Sequence, residues 1–326
     1  MKPLVVVGGP IHPDAMAVLE AEARVAEIAE ATEEQMVAVA RDAEGILFII
    51  RPDCNRSLMT ACPRLKVVGR HGVGLDTVDL KAATDLGIAV VHAPGSNSDS
   101  VAEHALMMIL VCAKQALDVD RTTRKAEWRS TRPQPNMELR GKTLGIVGIG
   151  NIGRRMARLG AALGMRVIAH DKYVADAEVR ARGAEPRVDL YSLLREADVI
   201  TCHTPHTPET HHMIDGRAVA QMKDGVIFVN TSRGKTQEER ALFEGLTRGK
   251  IRAAGIDVFE EEPVNADNPL LNLPNVLTSA HVAGVTRESM RGMGVQVAEE
   301  MVRVLRGERP HVLANADLWP RLSHLK

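Results

Sequence analysis

The 326-residue sequence has few cysteines and almost no net charge. Its four cysteines, Cys54, Cys62, Cys112 and Cys202, form no CxxC pair, so the sequence indicates neither a disulfide framework nor a zinc site. Lysine and arginine number 41 against 42 aspartate and glutamate, which gives a formal charge of −1. A protein that binds nucleic acid or a membrane surface would carry a basic excess, so we expect neither partner.

A long hydrophobic run is also missing. The longest uncharged apolar stretch, Ala105–Ala113, is far shorter than the roughly 20 residues needed to cross a bilayer. Met1 leads directly into a strand-like segment without a signal-peptide pattern. We therefore expect a cytoplasmic protein. Its 45% apolar and 25% charged composition is that of a globular chain, long enough for about two domains.

The sequence does contain short β-branched runs that alternate with helical patterns, in two blocks. The first block predicts a helix over 14–22 and strands at 4–7, 46–50, 65–68 and 88–91. The second block predicts six strands, at 143–147, 166–169, 198–202, 225–230, 253–258 and 276–279. Such alternation is typical of α/β folds with parallel sheets, and six is the strand count of a full dinucleotide-binding sheet.

Two long helical patterns flank the second block, one over about 98–124 and the other over about 287–306. The tail after the second helix is too short to form a domain of its own. The simplest arrangement packs that helix on the first block. We therefore expect a discontinuous domain of residues 1–98 plus 285–326, with a domain of residues 99–284 inserted into it.

A glycine motif stands at the first strand of the second block. Gly148, Gly150 and Gly153 form GxGxxG between a predicted strand and a predicted helix, the context that a dinucleotide site requires. The glycines permit a tight turn and a close approach of the pyrophosphate to the helix N-terminus. Asp171 follows the next strand, at the distance in sequence where a carboxylate can bind the adenosine ribose.

Three further polar residues follow later strands of the same block. Arg233 can bind a carboxylate through two hydrogen bonds, Glu262 ends an acidic run, and His281 precedes small residues. Taken singly, each is as readily a solvated charge or a structural histidine. They gain weight together, because the carboxyl ends of parallel strands meet at the edge where open α/β sheets bind ligands.

At this level of detail the sequence resembles the D-isomer-specific 2-hydroxyacid dehydrogenases, and within them the phosphoglycerate dehydrogenase and hydroxypyruvate reductase branch. The resemblance spans nearly the whole chain. It rests on ordered motifs at Gly69–Asp76, Asn97–His104, Gly148–Gly153, Thr204–Thr210, Asn230–Gly234, Asp257–Pro263 and His281–Gly284. It implies a Rossmann NAD-binding domain inserted in a flavodoxin-like substrate-binding domain, and a homodimer that forms through the helix after Asn97 and the loop around Trp128.

The resemblance also implies roles for single residues. Arg233 would bind the substrate carboxylate, His281 would exchange a proton with the substrate oxygen, and Glu262 would pair with His281. NAD would be the cofactor, and a small 2-hydroxy or 2-keto acid the substrate. The implied cofactor-binding residues are Val73, Gly148, Gly150, Asn151, Ile152, Gly153, Asp171, Thr204, Thr231, Ser232, Asp257, His281 and Gly284.

Substrate recognition is implied for a second group: Arg51, Arg70, His71, Val73, Gly74 and Arg233. Arg51 and Arg70 each end an apolar run and would form an anion site for the substrate's tail, whereas His71 stands where related enzymes have a small residue and would narrow the pocket. The expected substrate has three carbons and a polar or anionic group on the third carbon, such as hydroxypyruvate, its reduced form glycerate, or 3-phosphoglycerate.

Two other functions remain open at the level of sequence. One branch of the family binds NAD(H) and acts as a transcriptional corepressor, although the long low-complexity tail and basic region expected of it are missing here. A formate-type activity is disfavoured, because that branch has glutamine in place of Glu262.

Four histidines are close in sequence: His203, His206, His211 and His212. Pro205 and Pro208 exclude a helix there, and no acidic cluster accompanies the histidines, so no metal is expected.

Overall fold

The computed structural model describes residues 2–29, 32–49, 51–127 and 135–321. The chain divides into two compact units, Met1–Asn97 with Val285–Lys326, and Ser98–Gly284. We call these unit 1 and unit 2. Each contains one parallel sheet with helices packed against it, so the predicted α/β class with two parallel sheets is confirmed.

Unit 1 contains a five-stranded sheet in the order β2-β1-β3-β4-β5, which is the flavodoxin-like order. Its strands are β1 (Leu4–Gly8), β2 (Arg24–Ile28), β3 (Gly45–Phe48), β4 (Val67–Arg70) and β5 (Ala89–Val91). Its first four helices are α1 (Pro13–Glu22), α2 (Glu33–Ala40), α3 (Arg56–Ala61) and α4 (Leu80–Asp85). The central strands are buried runs of β-branched and apolar residues, as a sheet covered on both faces requires.

Unit 2 contains a seven-stranded sheet in the order β12-β11-β10-β9-β6-β7-β8. Its strands are β6 (Thr143–Val147), β7 (Arg166–His170), β8 (Glu185–Pro186), β9 (Val199–Cys202), β10 (Val226–Asn230), β11 (Ile251–Ile256) and β12 (Val276–Thr278). Its helices are α5 (Ser98–Lys114), α6 (Ala116–Arg124), α7 (Gly153–Ala162), α8 (Asp176–Ala181), α9 (Leu190–Glu196), α10 (Gly216–Gln221) and α11 (Glu239–Thr247). The strand order reverses between β6 and β9, which is the switch point of a Rossmann sheet.

The last long helix, α12 (Arg287–Leu305), returns to unit 1 and packs on β4. Gly69 makes this close packing possible, because a Cβ atom there would lie 2.8 Å from Cγ1 of Val297 and would overlap the sulfur of Met301. Ala15 of α1 meets Gly294 of the same helix in a similar way. The apolar face of α12 thus completes the core of unit 1.

The structure corrects three details of the sequence prediction. Strands β2 and β8 were not predicted: β2 has the mixed sequence RVAEI, and β8 is a two-residue edge strand that includes a proline. The single helix expected over 98–124 is broken, because Gln115 has a left-handed backbone with φ of 49°. Helices α5 and α6 therefore meet at an angle of 59°.

Among the described residues, no single helix has both the length and the apolar character needed to span a membrane. The bent pair of α5 and α6 passes that test by length and composition alone, and α5 packs its apolar side chains into the core of unit 2. All four cysteines are buried free thiols. Burial raises the pKa of Cys54, Cys112 and Cys202 to about 12, so these thiols are not ionised at neutral pH.

A close contact between α5 and the second sheet yields a stability prediction. A Cβ on Gly255 in β11 would lie 2.7 Å from the Cβ of Met108, an atom that cannot move without the helix. Gly255→Ala should therefore lower the free energy of unfolding by about 1–3 kcal/mol through overpacking. Urea denaturation measures the change.

Gly216→Ala is the matched control, because Gly216 begins α10 and no atom lies within 4 Å of its built Cβ. Its stability should stay within about 0.5 kcal/mol of the parent. Equal stability of the two variants would contradict the packing argument.

Candidate functional site

The turn between β6 and α7 leaves open space at one glycine. Gly148 has φ of 88°, and a Cβ there would lie 2.8 Å from Cγ2 of Thr204. A Cβ on Gly153 would overlap the carbonyl oxygen of Gly148, whereas no atom lies within 4 Å of the Cβ position of Gly150. The turn is tightly packed at Gly148 and Gly153 and open at Gly150, which precedes α7, and the N-terminus of a helix attracts anions. These residues fit a bound pyrophosphate.

Asp171 lies beside this turn, directly after β7. One carboxylate oxygen accepts the amide of Ile149 at 2.9 Å and the other accepts the amide of Tyr173 at 3.0 Å. Each oxygen keeps a second acceptor position that a ribose hydroxyl can use. The neighbouring Lys172 ammonium lies 2.7 Å from Glu209, so an acidic partner already engages it.

Two buried hydroxyls point to a ligand at the same edge of the sheet. Thr204 follows β9 and Thr231 follows β10, and the side-chain oxygen of each has no hydrogen-bond partner among the described residues. Buried polar atoms are normally paired, so both oxygens are candidate contacts for a bound molecule. Together with the open glycine turn and Asp171, they fit a dinucleotide along the carboxyl ends of β6, β7, β9 and β10.

The loop that carries Arg233 is organised by a fully buried asparagine at the end of β10. The amide group of Asn230 donates to the Arg233 carbonyl at 3.2 Å and to the side-chain oxygen of Gln237 at 2.9 Å, and its own oxygen accepts the amide of Ser232. A Cβ on Gly234 would overlap the Phe259 carbonyl group. The loop after β10 therefore packs tightly on the loop after β11.

The loop after β11 contains Glu262, which forms an acid–base pair with His281. Nδ1 of His281 lies 2.7 Å from Oε2 of Glu262, while Oε1 of Glu262 accepts the amide of Phe259 at 3.0 Å. Burial of Glu262 opposes its ionisation, but the hydrogen bond and charge of His281 outweigh it, and the pKa of Glu262 is lowered. Arg233 contributes to this lowering through its charge, which places the guanidinium in the same electrostatic environment.

The backbone around His281 converges on Asp257, which is only 1% exposed. The carboxylate of Asp257 accepts the amides of Val282 at 2.9 Å and Ala283 at 3.0 Å, and its carbonyl accepts the amide of His281 at 2.7 Å. His281 itself has φ of 54°, a left-handed conformation that costs energy in a residue other than glycine. Asp257 thus holds the histidine loop in a fixed, strained shape.

Unit 1 places two of the predicted substrate residues at the carboxyl edge of its own sheet. Arg51 follows β3 and is largely exposed, with its guanidinium 3.6 Å from Asp53. Arg70 ends β4 and donates a hydrogen bond to the carbonyl of His71. Because β3 and β4 are neighbours, both arginines lie at the same stretch of this edge.

His71 is placed differently from its expected role. Its side chain is 1% exposed and lies beneath α12, where a Cβ on Gly294 would be 3.1 Å from Nε2. Burial lowers the pKa of His71, so the ring is neutral at physiological pH. The side chain belongs to the core of unit 1, which argues against its lining a substrate pocket.

The remaining predicted residues lie in loops and turns. Val73 and Gly74 are half-buried in the loop after β4, where Nδ1 of His92 lies 2.9 Å from the Val73 carbonyl oxygen. Asn151 and Ile152 complete the glycine turn, Ser232 is buried beside Asn230, and Gly284 is the last residue of unit 2.

Three of the four closely spaced histidines contact one another, but the described residues contain no group of three or more His, Cys, Asp or Glu side chains that could hold a metal ion. Nε2 of His206 lies 3.2 Å from Nδ1 of His211, and the ring of His211 stacks on that of His212. His203 contacts a different residue: its Nε2 lies 2.9 Å from the hydroxyl oxygen of Thr201, and desolvation lowers its pKa to about 3. The ring of His203 is therefore neutral at physiological pH.

Comparison with known proteins identifies the family of this chain. Residues 106–283 match the family model for the NAD-binding domain of D-isomer-specific 2-hydroxyacid dehydrogenases. The chain belongs to this family. The sequence resemblance is therefore confirmed, and the NAD-binding assignment of the second block is supported by the match.

Three relatives illustrate the range of the family. The chain is 39% identical to a D-3-phosphoglycerate dehydrogenase of Methanocaldococcus jannaschii, over 99% of this chain and 62% of that protein. It is 38% identical to a glyoxylate reductase of Aeropyrum pernix, over 87% of each chain. The solved structure of an NADPH-dependent glyoxylate/hydroxypyruvate reductase from Sinorhizobium meliloti, in complex with NADP and malonate, superposes with a TM-score of 0.85 at 27% identity, covering 98% of each chain. The chain spans only about half to three fifths of the phosphoglycerate dehydrogenases it matches.

Sequence reasoning missed Asn230 and Gln237 as determinants of the site. Both are fully buried and join each other in a hydrogen-bonded network that shapes the Arg233 loop. The available signal was the asparagine at the end of an otherwise apolar strand, VIFVN. A buried amide in such a place needs partners, and here the partners are the loop's own backbone and side chains.

Proposed function

We propose that this protein is an NAD-dependent oxidoreductase that interconverts a D-2-hydroxy acid and its 2-keto acid. The observation that carries the proposal is the hydrogen bond between His281 and an ionised Glu262, in the electrostatic environment of Arg233. This set combines a proton donor, a carboxylate that stabilises its charged form and a cation for the substrate carboxylate.

The contact between His281 and Glu262 supports separate roles for His281 and Arg233. Nδ1 of His281 faces Glu262, which leaves Nε2 as the nitrogen that gives a proton to the keto oxygen during reduction and takes it back during oxidation. Arg233 binds the substrate carboxylate and polarises the carbonyl group. When bound, NAD would supply the hydride chemistry at C2, while the chain itself provides orientation, charge and the proton.

The names of the relatives support a small 2-keto acid without selecting one. They include phosphoglycerate dehydrogenases and glyoxylate reductases, whose substrates differ in the group attached to the carbonyl carbon. We propose a three-carbon substrate with a polar or anionic third carbon, because unit 1 places Arg51 and Arg70 at the carboxyl edge of neighbouring strands.

We also propose a homodimer in the cytoplasm. Helices α5 and α6 expose Met107, Leu110 and Leu117, each more than a third exposed, which supports an apolar contact along them. The loop around Trp128 that was expected to contribute lies outside the described residues.

Removal of the proposed catalytic groups gives the first functional prediction. Arg233→Ala and His281→Ala should each lower kcat/KM for keto-acid reduction about a thousandfold, because each loses charge stabilisation or proton transfer in the transition state. NADH affinity of Arg233→Ala, measured by fluorescence without substrate, should change less than about threefold, because Arg233 is assigned to the substrate and not to the cofactor.

Glu262→Gln tests the pairing through pH. Reduction needs a protonated His281, and loss of the carboxylate makes that form less stable, so the pH profile of reduction should move toward acid. An unchanged pH profile of reduction would contradict the pairing of Glu262 with His281.

A panel of 2-keto acids tests the alternative function. If the wild-type protein binds NADH but reduces none of these acids, the result would favour the NAD(H)-sensing corepressor function.

Cofactor selectivity is expected to depend on Asp171. Its carboxylate can accept hydrogen bonds from the ribose hydroxyls of NAD and would repel the 2′-phosphate of NADP. NADH should therefore bind at least about tenfold more tightly than NADPH, and Asp171→Asn should narrow that ratio. Asp176→Asn, an exposed acid in α8, is the control and should leave the ratio unchanged. Tighter binding of NADPH to the parent protein would refute the assignment.

The substrate's tail gives the last functional prediction. Arg51→Ala and Arg70→Ala should each raise KM for the best polar or anionic three-carbon keto acid about tenfold, through loss of a charge-assisted hydrogen bond. Values for pyruvate should change little. Arg64→Ala is the control, since this exposed arginine precedes β4 at the opposite edge of the sheet. If the best substrate has an apolar side chain, the two arginines have no role in its recognition.

A further inference from the structure

A histidine on the first helix of unit 2 contacts the support of the His281 loop. His104 lies on α5, and its Nε2 is 3.0 Å from the hydroxyl oxygen of Ser279, which follows β12. That hydroxyl is in turn 2.5 Å from Oδ1 of Asp257, which follows β11. Three elements distant in sequence thus meet in one chain of hydrogen bonds.

The direction of this chain follows from the number of available protons. The Asp257 carboxylate, which also accepts the amides of Val282 and Ala283, accepts the single hydroxyl proton of Ser279. Ser279 then has only lone pairs to offer His104, and the ring must donate from a protonated Nε2. His104 is therefore the first donor, and Asp257 the final acceptor.

Asp257 transmits this contact to the backbone of the histidine loop. Its carboxylate accepts the amides of Val282 and Ala283, and its carbonyl accepts the amide of His281. The left-handed backbone of His281 persists only where such contacts enforce it. The residue before the histidine is Ala280, which lacks the ring that fixes φ in a proline. The hydrogen bonds to the carboxylate and the carbonyl of Asp257 therefore maintain the loop's shape.

We propose that His104 is a positioning residue that fixes the orientation of the Asp257 carboxylate through Ser279, and thereby holds His281 in its strained conformation. Helix α5 is a suitable anchor, since it is 17 residues long and packs its apolar side chains into the core. The consequence for catalysis rests on the proposed function, whereas the consequence for the loop does not.

The experiment compares His104→Leu, which removes the donor, with His104→Gln, whose side-chain amide can still donate. Hydrogen–deuterium exchange of the segment 279–284 should be about tenfold faster in His104→Leu and close to the parent rate in His104→Gln. Reduction of the best 2-keto acid should lose about tenfold or more in kcat in His104→Leu.

Ser279→Ala provides an independent variant that interrupts the same chain. Both changes interrupt the same chain of hydrogen bonds from His104 through Ser279 to Asp257. The double variant His104→Leu/Ser279→Ala should therefore resemble either single variant, and the fold-changes in exchange rate and in kcat should not multiply. Ser279→Ala also tests the proposal if His104→Leu fails to fold.

The outcomes separate this proposal from the proposed function. Unchanged exchange over 279–284 in both single variants, multiplying effects in the double variant, or equal behaviour of His104→Leu and His104→Gln would each overturn the positioning role. Faster exchange in a protein whose parent form reduces no 2-keto acid would support the positioning role and refute the enzymatic function.

Discussion

The parallel direction of all strands in each sheet is the constraint on which the site depends. Because the strands run the same way, the glycine turn after β6, Asp171 after β7, Thr204 after β9 and Thr231 after β10 all emerge at one edge. Asp257 and Ser279 emerge there too, after β11 and β12. Residues more than a hundred positions apart are brought together by topology, and hydrogen bonds between loops then set their geometry.

The sequence was sufficient for the parts of the fold that repeat a strong pattern. Buried parallel strands are runs of β-branched residues, and the glycine motif has a unique place between a strand and a helix, so both were recognised directly. Strands β2 and β8 were missed, because edge strands with mixed or proline-containing sequences lack that pattern. The break at Gln115 depends on a backbone conformation that periodicity does not register.

Side-chain environment was harder to predict than position. Arg70 and His71 are adjacent in sequence, yet Arg70 folds over the loop after β4 while His71 enters the core beneath α12. Their different placement arises because Gly294 of α12 leaves room for an imidazole. Similarly, the role of Asn230 depends on partners several residues later along the loop. These side-chain environments depend on residues distant in sequence, so a local sequence pattern does not predict them.

Burial and hydrogen-bond partners assign the histidines of this chain different tasks. Desolvation lowers the pKa of His203 and of His71, so both rings are uncharged at neutral pH. His281 is half-exposed, and its Nδ1 lies 2.7 Å from the carboxylate of Glu262, whose pKa is lowered. His104 lies between these extremes, partly buried and committed as a hydrogen-bond donor. The same side chain can therefore fill a core, hold a loop or exchange a proton, and the surrounding loops and helices determine which.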